Sequence, residues 1–285
     1  MIAAGVVAAA LAAAGCKGRG EKSAEGARAD IRMLVDLASK DVAEIERGLP
    51  EGAKKISAAI GKESDVRSNP AVVRTALLKM RQQVPDLGVA KSTFFALADD
   101  KGIAIRNDLE QDTMAGKDLF AGWPGLRAAT RGGYVTTTGR FPGAPNPVGP
   151  DKEWVAAVPV KREDGSTLGV LVTGWTYRRF AYHLQESLRR ELQDQLMREG
   201  DKGKLPILYV ALFDREGVYG SAAPGALPFP PVNEKTLADL DLVGRTASGP
   251  ADGHMEITDR EFGWAAARTP ALAPEVGVVV LRSEI

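Results

Sequence analysis

The chain has 285 residues, with 37 Lys and Arg balanced by 37 Asp and Glu, so no net positive field gathers nucleic acid. At 44% hydrophobic and 26% charged it reads as folded and globular, and its length suits two domains plus an extension. The single cysteine, Cys16, excludes an intramolecular disulfide and a thiolate metal cluster.

Residues 1–15, "MIAAGVVAAALAAAG", are uncharged, apolar and small. As a helix they span about 22 Å, short of a ~30 Å hydrocarbon core, and they read as a signal peptide ending at a small-residue cleavage site. "LAAAGC" resembles the lipobox of bacterial lipoproteins, in which the Cys is lipidated after cleavage. The resemblance implies a lipid anchor at Cys16 and a place in the cell envelope, at the outer membrane or the periplasmic face of a Gram-negative membrane. An ordinary signal peptide with an incidental Cys is the other reading.

Residues 16–29 are polar and glycine-containing, the composition of a tether. From Asp30, Ile31, Leu34, Val35, Ala38, Val42, Ile45 and Leu49 recur with a helical period. "GLPEG", Gly48 to Gly52, predicts an interruption, and Asn69-Pro70 predicts an N-cap with proline at the first helical position. Beyond residue 92 the period becomes that of strands. Two short β-prone runs flank "DDKG"; "GYVTTTGRF" is a third strand, and "WVAAVPVK" and "LGVLVTGW" flank the turn "REDG". The proline-rich "FPGAPNPVGP" between them reads as a surface loop. These elements and the N-terminal helices make a first domain, residues 30–180. A long amphipathic helix carrying Phe180, Leu184, Leu188 and Leu192 links it, through residues 181–204, to a second domain at 205–285.

The second domain repeats the first. "FALADDKGIAI" at Phe95 returns as "VALFDREGVYG" at Val210, and "WVAA" at Trp154 returns as "WAAA" at Trp264. "LGVLVTG" at Leu168 returns as "VGVVVLR" at Val276. Matching motifs at nearly equal separation imply one fold built twice, with the two tryptophans sharing a repeat position. The opening hairpin, the inserted helix-and-loop segment and the "PV…DG…GVL" hairpin resemble the Cache family, extracellular relatives of PAS domains. The likeness is carried by Phe95–Ile105, Trp154–Val160, Asp164-Gly165 and Gly169–Gly174. It implies an α+β fold: two PAS/Cache-like domains with antiparallel sheets, joined by a long helix and preceded by N-terminal helices. It also implies extracytoplasmic sensing of a small ligand and a membrane signalling partner. The Tyr…Arg-x-Trp-Tyr pattern of the family's amino-acid-binding subset is not reproduced.

Catalytic motifs are missing: there is no G-x-S-x-G elbow, P-loop or H-E-x-x-H, so the chain does not read as an enzyme and no cofactor or metal is expected. His183, in the long helix, and His254, following "DG" in a turn, read as surface residues. Asp108, Glu110 and Asp112 form an acidic loop that suits calcium or simple solvation, without the glycine and glutamate of an EF-hand. Trp123 lies in the inserted segment, where the family's relatives bind ligands. With Arg127, Tyr134 and Arg140 it forms the candidate site for a small anionic or amine ligand, the arginines matching a carboxylate in two bonds. The alternative is a lipoprotein whose PAS-like domains are filled by their own side chains and dock partners without a ligand. A proline-rich loop, "PGALPFPPV", stands in the second copy where the first has its helix, so binding is expected in the first.

Overall fold

The computed structural model describes residues 3–63, 65–88, 94–143, 151–200, 204–222 and 229–285, with 3–17 and 231–232 described by backbone alone. The Cys16 side chain and most of both proline-rich loops therefore lie outside the described residues. The fold is α+β, with two five-stranded antiparallel sheets. The chain divides into two compact units, one of residues 39–177 and 271–273, the other of residues 1–38, 178–270 and 274–285.

In the first unit β1 (Phe94–Ala98), β2 (Ala104–Asn107), β3 (Val135–Gly139), β4 (Glu153–Lys161) and β5 (Thr167–Thr176) form a sheet of order β2-β1-β5-β4-β3. The "DDKG" turn closes as the sequence implies. Asp99 accepts the N–H groups of Lys101 and Ile103 at 2.8 and 2.9 Å. Gly102 takes φ 91°, and a Cβ there would strike the Phe120 ring. Between β2 and β3 lie helix α3 (Leu119–Gly122) and a 3₁₀ stretch, Pro124–Arg131. They bury Leu119, Phe120, Trp123, Leu126 and Ala129 against Ala96, Val155, Ala157, Val170 and Val172 on one face of the sheet.

The second sheet repeats the order. Strands β6 (Ile207–Asp214), β7 (Gly217–Gly220), β8 (Ala251–Ile257), β9 (Arg260–Arg268) and β10 (Gly277–Ser283) run β7-β6-β10-β9-β8. Helices α5 (Pro231–Ala238) and α6 (Leu242–Arg245) follow the proline-rich loop, most of which lies outside the described residues. His254 sits exposed within β8 and not in a turn, because Gly253 and His254 pair with Trp264 and Gly263 as part of the ladder.

The ladders correct two equivalences by one residue each, that of "LGVLVTG" with "VGVVVLR" and that of the tryptophans. Ala96 pairs with Val172 and Val172 with Ala157; the matching residues are Ala211, Val279 and Ala266. The counterpart of Trp264 is thus Val155, and that of Trp154 is Gly263. A displacement of one residue turns a strand's side chains to the opposite face. Accordingly Val155 and Trp264 both belong to the cluster beneath the inserted segment, and Trp154 does not.

The N-terminal helices differ more from the sequence reading. Helix α1 (Ala3–Ile60) is continuous through residues 16–29 and through "GLPEG". The expected tether is helical because one side of it is apolar enough to bury: Ala24, Ala27, Ile31 and Leu34 are all 6% exposed or less. Gly48 and Gly52 are points of close approach and not breaks. A Cβ on Gly48 would stand 2.9 Å from Leu87, and one on Gly52 2.7 Å from the Met80 sulfur. Met80 belongs to helix α2 (Pro70–Gln83), and Leu87 to the 3₁₀ turn that follows it. Tertiary burial of Leu49, Ala53 and Ile56 outweighs the cost of Pro50 inside the helix. Helix α2 starts at Pro70 as predicted, but Asn69 makes no side-chain cap.

Helix α4 (Tyr177–Glu199) carries the expected stripe. Phe180, Leu184 and Leu188 are buried and Leu192 half-buried, and Gln185 Oε1 accepts the Val210 N–H at 3.1 Å. Contact grouping places α4 from Arg178 onward with the second sheet.

Candidate functional site

The four residues singled out by sequence do not converge. Trp123 is fully buried, its ring 6.0 Å from Phe94 in a stacked pair and 4.8 Å from Phe141. Gly139 makes room for it, since a Cβ there would come 2.8 Å from Trp123 Cδ1. Aromatic density in the inserted segment thus seals the sheet face where a ligand was expected. Arg127 is exposed on the 3₁₀ stretch, its guanidinium 5.4 Å from the Phe120 ring centre, and it lines an open, more polar depression of about 580 Å³. Arg140 donates to the Asp151 carbonyl at 2.7 Å.

Trp123 and Arg140 both approach one group that sequence reasoning missed, the Glu153 carboxyl at the start of β4. It is 4% exposed and accepts the Phe141 N–H at 3.0 Å. Burial pushes its pKa up to about 7; the Phe141 bond lowers it, the Asp151 charge raises it, and Trp123 and Arg140 lower it again. The Trp123 N–H lies close enough to act on Glu153 yet falls short of hydrogen-bond geometry. A lone Glu between "DK" and a strand gives no sequence signal of such burial.

The acidic loop is internal structure. Asp108 pairs with Arg81 at 2.8 Å and accepts the Phe95 N–H at 2.9 Å. Asp112 pairs with Arg106 at 2.8 Å. Burial pushes Asp112 up, but the Arg106 and backbone N–H bonds outweigh it and leave it below the ordinary carboxylate value. Among the described residues no group of three or more His, Cys, Asp or Glu is placed to hold a metal ion, and no helix is long and apolar enough to cross a membrane. His183 is half-buried and stacks on Phe180 at 6.0 Å.

Tyr134 marks a different place. Strand β3 begins at Val135, which pairs with Ala157, so β4 continues from Val158 to Lys161 paired with β5 alone. Gly132 and Gly133, at φ 119° and 92°, bring the chain into β3 through conformations other residues avoid. Pro159, lacking an N–H, suits this uncovered part of β4. Helix α1 passes alongside with small residues, Ala53, Ser57 and Ala58, and Ser57 Oγ donates to the Lys161 carbonyl. Short side chains on the helix and a missing strand on the sheet leave a groove of about 480 Å³, within the range of small-molecule sites. Its walls are largely apolar, with Lys54, Lys161 and Glu163 among its lining and Tyr134 flanking it. The Tyr134 hydroxyl is buried without a hydrogen-bond partner, and burial, then the Glu46 charge, raise its pKa.

No family model and no curated protein matches the chain. Among solved structures it is similar to an extracellular ligand-binding receptor of Desulfohalobium retbaense, at 12% identity and TM-score 0.46 over 89% of this chain. That match spans 40% of the receptor chain, less than half its length. It is also similar to the ligand-binding domain of the Pseudomonas fluorescens chemoreceptor CtaA in complex with L-isoleucine, at 12% identity and TM-score 0.48 over 94% of this chain and 93% of that one. The ligand-binding domain of the Pseudomonas aeruginosa amino-acid chemoreceptor PctC in complex with GABA gives 13% identity and TM-score 0.45 over 89% and 96%. The likeness concerns the fold alone.

Proposed function

We propose that the chain is an extracytoplasmic small-molecule-binding module that serves sensing, and that its ligand enters the groove between α1 and β4. The observation that carries this is the contrast inside the first unit. The sheet face behind Trp123 is filled by Phe94, Phe120, Phe141 and Met114, whereas the groove beside Tyr134 is open, apolar and edged with a few polar groups. Concave, mostly apolar sites with sparse polar groups are where small molecules bind. A thermal-shift screen with amino acids, organic acids, amines and purines tests it, because a ligand at 100 times its Kd stabilises by ~2.7 kcal/mol. A hit lost in Ala58→Trp supports the groove; a hit retained in that variant and lost in Trp123→Ala returns the site to the sheet face.

The closed aromatic interior favours a second reading, docking of a protein partner without a ligand. A screen without hits, together with a partner captured on the first unit's surface, selects it. In either reading the chain is an envelope lipoprotein acting through a membrane partner, with Cys16 as the lipid site. The sole cysteine directly after "LAAAG" supports this, and cleavage there leaves the acylated residue within α1. Several acyl chains on one residue give a durable anchor. Cys16→Ser is expected to release the protein from membranes or to accumulate an uncleaved precursor; unchanged cleavage and partitioning count against the anchor.

A further inference from the structure

We infer that the groove selects an amphipathic monoanion, a molecule with an apolar body and one carboxylate. The inference rests on the groove being the binding site. Its walls are supplied by Ala53, Ala58, Val158, Pro159 and the Tyr134 ring, which favour a hydrocarbon or aromatic body and offer little to a sugar or a polar amino acid.

The charges decide the rest. Two ammonium groups, Lys54 and Lys161, line the groove with one carboxylate, Glu163, while the Glu46 carboxylate acts on Tyr134 at its flank. The Lys54 side chain makes no ion pair or hydrogen bond among the described residues. Lys161 Nζ donates to the Thr167 hydroxyl at 2.7 Å, a neutral partner that leaves its charge uncompensated. Among the described residues neither lysine is paired with Glu163, so the end of the groove at Lys54 and Lys161 presents positive charge above an apolar floor. A cationic ligand meets like charge there; a carboxylate gains two attractive partners, with the attraction screened by salt as exposed charges are. Ser57 is already committed to the Lys161 carbonyl, which leaves the two ammonium groups and the Tyr134 hydroxyl as available donors.

The test uses three probes of one shape on the full chain: 4-phenylbutyrate, 4-phenylbutylamine and 4-phenylbutanol, read by thermal shift and calorimetry at low salt. The carboxylate is expected to bind at least ten times tighter than the amine, with the alcohol between them. Lys54→Glu is expected to weaken the carboxylate about tenfold and leave the alcohol unchanged. Ala58→Trp, at an exposed helix position, is expected to abolish binding of all three while the circular dichroism spectrum stays native. Equal affinities that Ala58→Trp abolishes would overturn the anion selectivity and leave the groove as the site. Binding that survives Ala58→Trp, or no binding by any probe at millimolar concentration, would overturn the groove itself.

Discussion

The two sheets share an order and a ladder, yet they carry opposite solutions at one matched pair of positions. In the first, Trp154 pairs with Trp175 across β4 and β5, and the rings stack with centroids 4.4 Å apart. In the second, the matching residues are Gly263 and Arg282, paired across β9 and β10. Gly263 leaves its space to α1, whose backbone at Ser23 and Ala24 occupies the place a Cβ would take. Arg282 reaches α1 and grips Asp30 with two bonds of 3.1 and 3.0 Å, while Glu284 accepts from its Nε at 2.8 Å. One copy spends the position on aromatic area; the other trades area for close helix approach and an ion pair. A shared strand order therefore does not transmit the chemistry of a sheet's surface, and a site argued from one sheet does not carry to the other.

The comparison breaks most sharply at Gly263. Gly263→Trp, which imposes the first sheet's residue on the second, is expected to displace α1 from that sheet and cost more than about 3 kcal/mol, measured by urea denaturation. A loss below 1 kcal/mol would mean that α1 does not lie there.

Next is Arg282→Ala, which strands the Asp30 carboxylate, 1% exposed, without its cation. Removing one member of a buried pair costs about 3–5 kcal/mol. Burial already raises the Asp30 pKa, with the Arg282 charge and hydrogen bond working against it. Arg282→Ala is therefore expected to be rescued in part by Asp30→Asn, an outcome that would show the cost to be electrostatic and not a matter of lost packing.

Glu153 gives the first unit a pH dependence. Its pKa is higher folded than unfolded, so the folded chain holds this proton more tightly. The contribution is full below about 4.5 and is lost as pH rises through about 7. Moving a carboxyl over that range amounts to roughly 3 kcal/mol. Glu153→Gln keeps an acceptor for the Phe141 N–H and should flatten the stability profile between these values; a profile that retains its slope would locate the titration elsewhere.

The smallest effect is expected at Arg127. Its exposed guanidinium over Phe120 makes Arg127→Ala a change of about 0.5 kcal/mol or less. Unaltered ligand affinity in that variant, beside a clear loss in Ala58→Trp, would sharpen the separation between the closed sheet face and the open groove.

Much of the architecture was legible because strands announce themselves locally. Asp99 and Gly102 close a hairpin with interactions spanning four residues, and the same chemistry marks the second copy at Asp214. Helix α1 was misread where the deciding forces are distant: Gly48, Pro50 and Gly52 are breakers by local propensity, and only Met80 and Leu87 show why the helix continues. The tryptophan equivalence failed because "WVAA" and "WAAA" agree in letters and differ by one residue in register, which only the hydrogen-bonded partners reveal. The site was legible in residue type and not in arrangement. Trp123 is what either a ligand pocket or a sealed core uses, and the groove owes its existence to small residues and to a strand that starts late, features with no sequence signature of their own.

The division of α1 between the units has a consequence for biosynthesis. The first sheet is contained within residues 39–177, so it condenses as soon as that stretch of chain is available. The second unit is discontinuous: residues 1–38 belong with strands that end at Ser283, and Asp30 meets a partner 252 positions later. Such distant pairing is slow, because long loops close late. Until β10 is made, the buried stripe of Ala27, Ile31 and Leu34 belongs to a unit that is still incomplete. The nascent chain thus carries a sticky leading segment through most of its synthesis, an opening for holdase chaperones and for misassociation between copies.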